Sequence, residues 1–192
     1  AILWINRVNG GQLLARTGSF QGEPMKIPMY NITQEEGFWL RRLIARGQTV
    51  KVRLHTRSYC QEVETANIVA TFPGRTADTI VVGAHFDSWD LGQGAMDNGT
   101  GIAQVFAVAK VLKQHSPVNE RTIEFVWFND EEQGLWGSRV HAPTLKDRPV
   151  AAAINLDMVG YPVSVNSVGY DDLVPVLARY NESLGEKKLK QG

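Results

Sequence analysis

Three nearly continuous apolar runs constrain the fold of this 192-residue chain more than any other feature of its sequence. They are TIVVGA at 79–84, TIEFVWF at 122–128 and VAAAINL at 150–156. The segments that follow the first two runs have helical character, and helices are predicted at about 101–114 and 135–142. Strands this apolar alternate with helices in parallel sheets that are buried on both faces. We therefore predict an α/β fold with a mostly parallel sheet flanked by helices.

The first part of the chain has a different pattern. A strand is expected at 1–6, and Thr33 and Glu36 have the spacing of a capping box that starts a helix ending near Gly47. The chain opens inside the apolar run AILWI without an initiator methionine, which favours a fragment of a longer protein. We interpret residues 1–48 as a small β-rich segment.

The pattern changes at Thr49, where a second domain is predicted to begin and to extend over 49–192. Alternation of apolar and polar residues predicts a strand in TVKVRLHT at 49–56. ANIVATF at 66–72 predicts another strand, stopped by Pro73 and Gly74. A last helix is expected at 171–184.

The composition excludes several classes of partner. Twenty basic residues balance twenty acidic ones, so no net charge favours nucleic acid or an anionic membrane. No apolar run reaches the roughly 18–20 residues of a membrane span. The single cysteine, Cys60, cannot form a disulfide within the chain.

Acidic residues and one histidine follow the apolar runs. They are His85, Asp87 and Asp97 after the first run, Asp130, Glu131 and Glu132 after the second, and Asp157 after the third. Because the carboxyl ends of parallel strands lie at one edge of a sheet, these side chains are expected to converge. Packed carboxylates repel one another unless cations lie between them, and one imidazole with several carboxylates suits zinc, manganese or cobalt. The pattern therefore predicts a metal centre, with two ions about 3.5–4 Å apart as one arrangement.

The adjacent acids Glu131 and Glu132 indicate two different chemical roles. Adjacent side chains point in different directions, so one acid can bind an ion while its neighbour acts on water as a general base. Asp87 lies two residues after His85, where it can fix the orientation of the imidazole.

These residues lie in motifs that resemble a known family. GAHFDSWDLGQGAMDNGTG at 83–101, FNDEEQGLWGS at 128–138 and INLDMVG at 154–160 are similar to the motifs of di-zinc exopeptidases of the aminopeptidase type with a protease-associated (PA) domain. Within them the chain resembles most the carboxypeptidase Q group. KIPMYNIT at 26–33 resembles the end of the PA insertion, so the resemblance implies that 1–48 is the C-terminal part of a PA domain and 49–192 the N-terminal part of a zinc-peptidase domain.

The resemblance also implies a role for each site residue. His85 would bind one zinc, Asp97 would bridge two zinc ions, and Glu132 and Asp157 would each complete one ion. Glu131 would be the general base that acts on the bridging water, and Asp87 would orient His85. A cis peptide bond is implied at Asp97–Asn98, and Asn98 itself, where many relatives have an acid, is expected to have little effect.

Further implications concern the complete protein. The second zinc of the family takes a histidine from a later segment, so one site is expected to be incomplete in this chain and its hydrolysis of peptides poor. The implied substrates are peptides or dipeptides, the implied assembly includes a homodimer, and the implied location is secreted, periplasmic or lysosomal. Neither the preferred substrate residue nor the choice between aminopeptidase and dipeptidase follows from the sequence.

Two other functions are compatible with the same fold. One is a receptor-like homologue that has lost catalysis, and the other is a single-zinc acyltransferase of the glutaminyl cyclase kind. The acids could instead serve only to cap helices, since Asn98 or Thr100 could start the helix at 101–114. Capping alone, however, leaves His85, Glu132 and Asp157 without a reason to converge.

Overall fold

The computed structural model describes residues 1–14, 16–19, 21–115, 118–159, 164–185 and 190–191. The strands and helices, in chain order, are β1 (Ile2–Ile5), β2 (Met29–Ile32), α1 (Gln34–Ala45), β3 (Ile68–Phe72), β4 (Gly74–His85), α2 (Thr100–His115), β5 (Asn119–Phe128), α3 (Trp136–His141), β6 (Val150–Asn155), β7 (Ser164–Val165), α4 (Val174–Ser183) and β8 (Lys190–Gln191). Short 3-10 turns follow α3 at Ala142–Leu145 and precede α4 at Asp171–Leu173.

The largest sheet confirms the predicted α/β architecture. Its four strands lie in the order β3-β5-β4-β6, with β4 parallel to both β5 and β6. β3 is antiparallel to β5, so the sheet is mixed at one edge. The parallel arrangement puts the carboxyl ends of β4, β5 and β6 on the same side of the sheet, as the apolar runs predict.

Helix α2 covers one face of this sheet and forms the core with it. The buried core residues are Val82 and Ala84 of β4, Val105 and Ala109 of α2, and Phe125 and Trp127 of β5. Phe72 of β3 meets Phe125 edge-on, with ring centroids 5.4 Å apart. Burying each large apolar side chain contributes about 1.5–3 kcal/mol, so this layer anchors the helix that follows the first acidic motif.

The opposite face carries a buried ionic cluster. Glu124 of β5 is only 3% exposed. Its carboxylate accepts hydrogen bonds from His141 Nε2 at 2.9 Å and from Arg148 Nη1 at 2.8 Å. His141 also packs edge-on against Phe128 at 5.7 Å between centroids. We call Glu124, His141 and Arg148 the buried ionic cluster; it ties the connection between β5 and β6 to the sheet.

A smaller unit precedes the main sheet. β1 and β2 form a parallel pair, and α1 begins with the predicted capping box, in which the Thr33 side chain accepts from the Glu36 amide and the Glu36 side chain accepts from the Thr33 amide. This segment approaches the main sheet at Gly22, where a Cβ would lie 2.1 Å from the carbonyl oxygen of Gln133. Gly134 has no room for a Cβ either, because that atom would lie 2.6 Å from the Gly22 nitrogen.

One predicted strand is wrong. Residues 49–67, all of which the structure describes, contain neither helix nor strand, and the residues of the predicted strand at 49–56 are almost all exposed. Alternation alone does not make a strand, because backbone groups must pair with a neighbouring strand and this segment has none. The predicted helices at 101–114, 135–142 and 171–184 are confirmed within a few residues. None of the helices in the described ranges combines the length and apolar character of a membrane crossing.

Candidate metal centre

Hydrogen bonds continue the sheet beyond the ends of its strands and hold the acidic motifs close together. The Phe86 amide donates to the carbonyl of Phe128, and the Leu156 amide donates to the carbonyl of Gly83, both at 2.8 Å. His85 is the last residue of β4, Glu131 and Glu132 follow β5, and Asp157 follows β6. Asp97 lies in an irregular turn at Ala95–Gly99 that leads into α2.

The imidazole of His85 lies at the centre of the acids. It is 2% exposed, and its Nε2 lies 3.1 Å from an oxygen of Asp97 and 3.5 Å from an oxygen of Asp157. His85, Asp97 and Glu132 each offer one ligand atom within 4.8 Å of the others. The structure thus brings together all four residues proposed as metal ligands, and three of them have ligand atoms within 4.8 Å of one another.

Two buried atoms of this cluster have no hydrogen-bond partner among the described residues. They are Nε2 of His85 and Oε1 of Glu132. Unsatisfied buried polar atoms are costly, and native structures rarely retain them without a reason. Nitrogen and oxygen donors of this kind, facing one another at short range, fit a zinc ion.

The pKa shifts of the site also indicate an excess of negative charge. Burial, together with the carboxylates of Asp97 and Glu131, raises the pKa of Glu132 from 4.5 to about 7. Burial is also the largest cause that raises the pKa of Glu131. Burial acts to lower the pKa of His85, but the surrounding acids outweigh it and the net shift is upward. A divalent ion among these acids would offset their mutual repulsion.

Asp87 binds the backbone of the acid pair. Its carboxylate accepts the amides of Glu131 and Glu132, one on each oxygen and both at 3.0 Å. The expected contact with His85 is looser: Nδ1 lies 3.5 Å from the Asp87 carboxylate and 3.2 Å from the Asp87 carbonyl oxygen. Asp87 therefore links the motif after β4 to the motif after β5, which sequence spacing did not suggest.

A pocket of about 230 Å³ opens beside the general-base candidate. Its lining is His85, Phe128, Glu131, Leu135, Ser138 and Asn155. The acid at Glu131 therefore faces open space next to the imidazole, whereas the acid at Glu132 points into the ligand cluster.

Asn98 is more deeply embedded than its sequence position suggests. The peptide bond between Asp97 and Asn98 is cis, as the family resemblance implies. Asn98 is 1% exposed, and its side chain makes three hydrogen bonds to the backbone of other segments. The expectation that Asn98 matters little rests on its not being a ligand, whereas its burial and its three hydrogen bonds indicate a structural role. The last residue of the third motif, Gly160, lies outside the described residues.

Comparison with known proteins adds independent information. A sequence profile of peptidase family M28 matches residues 67–189. The chain is 37% identical over 149 residues to a protein named probable leucine aminopeptidase 2 from Trichophyton verrucosum, an alignment that covers 76% of this chain and 29% of that protein. The chain thus spans about a third of the length of this curated relative.

Solved structures show the same fold. A zinc aminopeptidase from Bacillus subtilis superposes with a TM-score of 0.68 at 26% identity, over 98% of this chain and 47% of that one. A glutaminyl cyclase from an Acidobacteriales bacterium superposes with a TM-score of 0.55 at 21% identity, over 65% of this chain and 50% of that one. At that identity the second likeness concerns the fold alone.

Proposed function

The chain belongs to peptidase family M28, and from that premise we propose that it carries the metal centre of a zinc-dependent aminopeptidase. The observation that supports this most is the convergence of His85, Asp97 and Glu132, whose ligand atoms lie within 4.8 Å of one another inside the matched region. A capping role for the acids would leave this convergence without a cause, and also the buried Nε2 of His85, which makes no hydrogen bond within the described residues.

We assign the ligands as follows. Asp97 lies beside His85 and belongs to the same close group as Glu132, which suits a carboxylate shared by two ions. His85 and Asp157 would hold one zinc with Asp97, and Glu132 would hold the other. When bound, the two ions would polarise the scissile carbonyl and lower the pKa of water towards about 7.

Glu131 is proposed as the general base. It borders the open pocket next to His85, so its carboxylate can take a proton from water there and return it to the leaving amine. Burial raises the pKa of Glu131, which makes its carboxylate a stronger base than a free glutamate. Asp87 would keep Glu131 and Glu132 apart in their two roles, because it fixes both amides through one carboxylate.

The finer features of the proposal come from family resemblance. The substrate would be a peptide or dipeptide with a free α-amine, bound near the carboxylates that surround the metals. Residues 1–48 would belong to a PA domain, the parent group would be that of carboxypeptidase Q, and the protein would act outside the cytoplasm, with a homodimer as its assembly.

Replacing the general base tests the assignment. In the complete protein, Glu131→Gln should retain zinc and lose about 10²–10⁴-fold in kcat on Leu-Gly-Gly, because the variant cannot accept the proton. Zinc content by elemental analysis and release of leucine are the measurements, and N-acetyl-Leu-Gly-Gly tests the need for a free amine. Undiminished turnover by the variant would refute the role of Glu131.

The same assay separates the other two functions. Cyclisation of a peptide with N-terminal glutamine, without release of leucine, would point to an acyltransferase. If the complete protein without substitutions binds no zinc and releases no leucine, the result would point to a receptor-like homologue and against the proposal.

A further inference from the structure

Asn98 joins three segments of the chain around the acids. Its Nδ2 donates to the carbonyl of Leu156 at 2.8 Å. Its Oδ1 accepts the amide of Gly101 and the amide of Met158, both at 3.1 Å. Leu156 and Met158 flank Asp157, so one side chain holds both sides of that residue while its own backbone follows Asp97.

We propose that Asn98 is a positioning residue that holds Asp97 and Asp157 at a fixed separation for metal binding. The inference rests on the proposed function, because it assigns a purpose to the geometry of the same ligands. Asn98 contacts no ligand atom through its side chain; it acts through the backbone segments that carry the two aspartates.

The proposal follows first from the charges. Asp97 and Asp157 both approach Nε2 of His85, at 3.1 and 3.5 Å, although two carboxylates repel each other. When no metal ion is present, backbone contacts help to hold these two acids close together. Asn98 does this with a neutral amide, which adds no further negative charge to the acids.

The three hydrogen bonds of Asn98 match an amide in this chain, and an acid at this position would need a proton to make the same contacts. Asn98 uses one donor and one oxygen with two acceptor positions, which matches the side chain of asparagine. An ionised aspartate has the same shape but no donor, so one of its oxygens would face the carbonyl of Leu156. Because the residue is 1% exposed, water cannot relieve that contact.

Two further observations show how closely this junction is built. A Cβ at Gly101 would lie 2.3 Å from the carbonyl oxygen of Leu156 and 2.4 Å from Oδ1 of Asn98. Met158, directly after Asp157, has a φ of 50°, a left-handed conformation that is uncommon for residues other than glycine. The amide of Met158 is the one that Asn98 accepts, so the hydrogen bond supports that conformation.

Asn98→Asp tests the proposal with little change in shape. Zinc affinity, measured by competition with a chromophoric chelator, should weaken about 10- to 100-fold, the usual loss when a residue that orients metal ligands is replaced. The visible absorption of the Co²⁺-substituted protein should also change, because it reports ligand geometry. Circular dichroism at the titration temperature verifies that the variant is folded.

Asn6→Asp is the matched control. Asn6 is also buried, at 4%, and its Oδ1 accepts the amides of Arg7 and Val8 while its Nδ2 has no partner among the described residues. This variant should leave zinc affinity and the cobalt spectrum unchanged. A zinc affinity of folded Asn98→Asp within twofold of the parent would overturn the proposal.

A metal-free measurement separates this inference from the proposed function. In the presence of a chelator, Asn98→Ala should raise the hydrogen-exchange rate of the Met158 amide by about tenfold, while the amide of Phe125 in the core stays protected. An unchanged rate at Met158 would count against the role of Asn98 even if zinc binds normally. Failure of the parent to bind zinc would instead count against the proposed function. If Asn98→Ala raises the exchange rate of the Phe125 amide as much as that of the Met158 amide, the variant is destabilised as a whole. The zinc affinity of folded Asn98→Asp then tests the proposal.

Discussion

Two groups of charged side chains lie on the same face of the four-stranded sheet and differ in how their charges are balanced. In the buried ionic cluster, Glu124 has two partners, His141 and Arg148, and all three side chains find hydrogen bonds. The candidate metal centre gathers His85 with several acids, and a buried oxygen of Glu132 has no hydrogen-bond partner in the part of the chain that the structure describes. The register of β4 and β5 pairs Val81 with Glu124 and His85 with Phe128, so the two groups are neighbours on one surface.

The difference appears in the ionisation of the two glutamates. Burial acts to raise the pKa of Glu124, but Arg148 and His141 outweigh it and the pKa is lowered. Burial and neighbouring acids raise the pKa of Glu132 to about 7. One fold thus contains a carboxylate stabilised by neighbouring basic side chains and another whose pKa is raised by burial and by neighbouring acids. The contrast shows that burial on this sheet does not by itself raise the pKa of a glutamate, because the charges of neighbouring side chains decide the direction of the shift.

The largest effect is expected when Asp97, the proposed shared ligand, is replaced. Asp97→Asn should weaken zinc binding by more than about 100-fold, since even the loss of a residue that only orients a ligand costs 10- to 100-fold. Isothermal titration with zinc measures the change. Asp78→Asn, which alters an exposed acid of β4 that faces Arg121 at 3.9 Å, is the control and should bind zinc like the parent. Equal zinc affinities for Asp97→Asn and Asp78→Asn would contradict the comparison, because an acid of the candidate metal centre would then matter no more for zinc binding than an exposed acid of β4.

A smaller effect is expected when the buried ionic cluster is altered. Glu124→Gln should lower the free energy of unfolding by about 1–2 kcal/mol, the lower part of the range for charged hydrogen bonds, because Arg148 is 37% exposed and partly screened by water. Zinc affinity should not change. Urea denaturation is the measurement. Glu120→Gln, which removes an exposed ion pair with Arg75, serves as control and should cost at most about 1 kcal/mol.

The pH dependence of the metal-free protein sharpens the comparison further. Folded Glu132 keeps its proton up to a pH of about 7, whereas the unfolded chain releases it near 4.5, so this group lowers stability as the pH rises between those values. Glu132→Gln should therefore flatten the fall in stability between about pH 4.5 and 7. Thermal unfolding in the presence of a chelator measures the slope.

Glu124 should behave in the opposite way. Its folded pKa is lowered, so its contribution is complete above about 4.5 and is lost as the pH falls through the folded pKa. Glu124→Gln should then differ from the parent most at neutral pH and least in acid. Identical pH profiles for the two variants would contradict the opposite charge balance of the two groups.

The sequence predicted the convergence of the four proposed ligands better than the contacts around them. Strand ends after apolar runs suffice to bring His85, Asp97, Glu132 and Asp157 together, because parallel topology decides which ends meet. The buried ionic cluster could not be derived in this way, since His141 and Arg148 lie 17 and 24 residues from Glu124. A single acid inside the apolar run TIEFVWF was the only available signal that a charged partner must exist.

Other features that the sequence did not predict depend on contacts between distant parts of the chain. The wrong strand at 49–56 shows that alternation does not identify a pairing partner. The carboxylate of Asp87 holds the backbone of Glu131 and Glu132, a contact that depends on how two loops fold back and not on spacing along the chain. The contacts of Asn98 could not be predicted for the same reason, because its partners at Leu156 and Met158 are about sixty residues away.

The tight approach of Gly22 to the turn after Glu132 has a practical consequence. A methyl group at position 22 would collide with the carbonyl of Gln133, and Gly22 itself has a φ of 73° that other residues adopt with difficulty. The turn could relieve the collision only by moving, and it begins at the acid pair. A mutational screen for lost zinc binding would therefore recover Gly22 together with the ligands, although it lies more than sixty residues before His85 in the chain and carries no donor atom in its side chain.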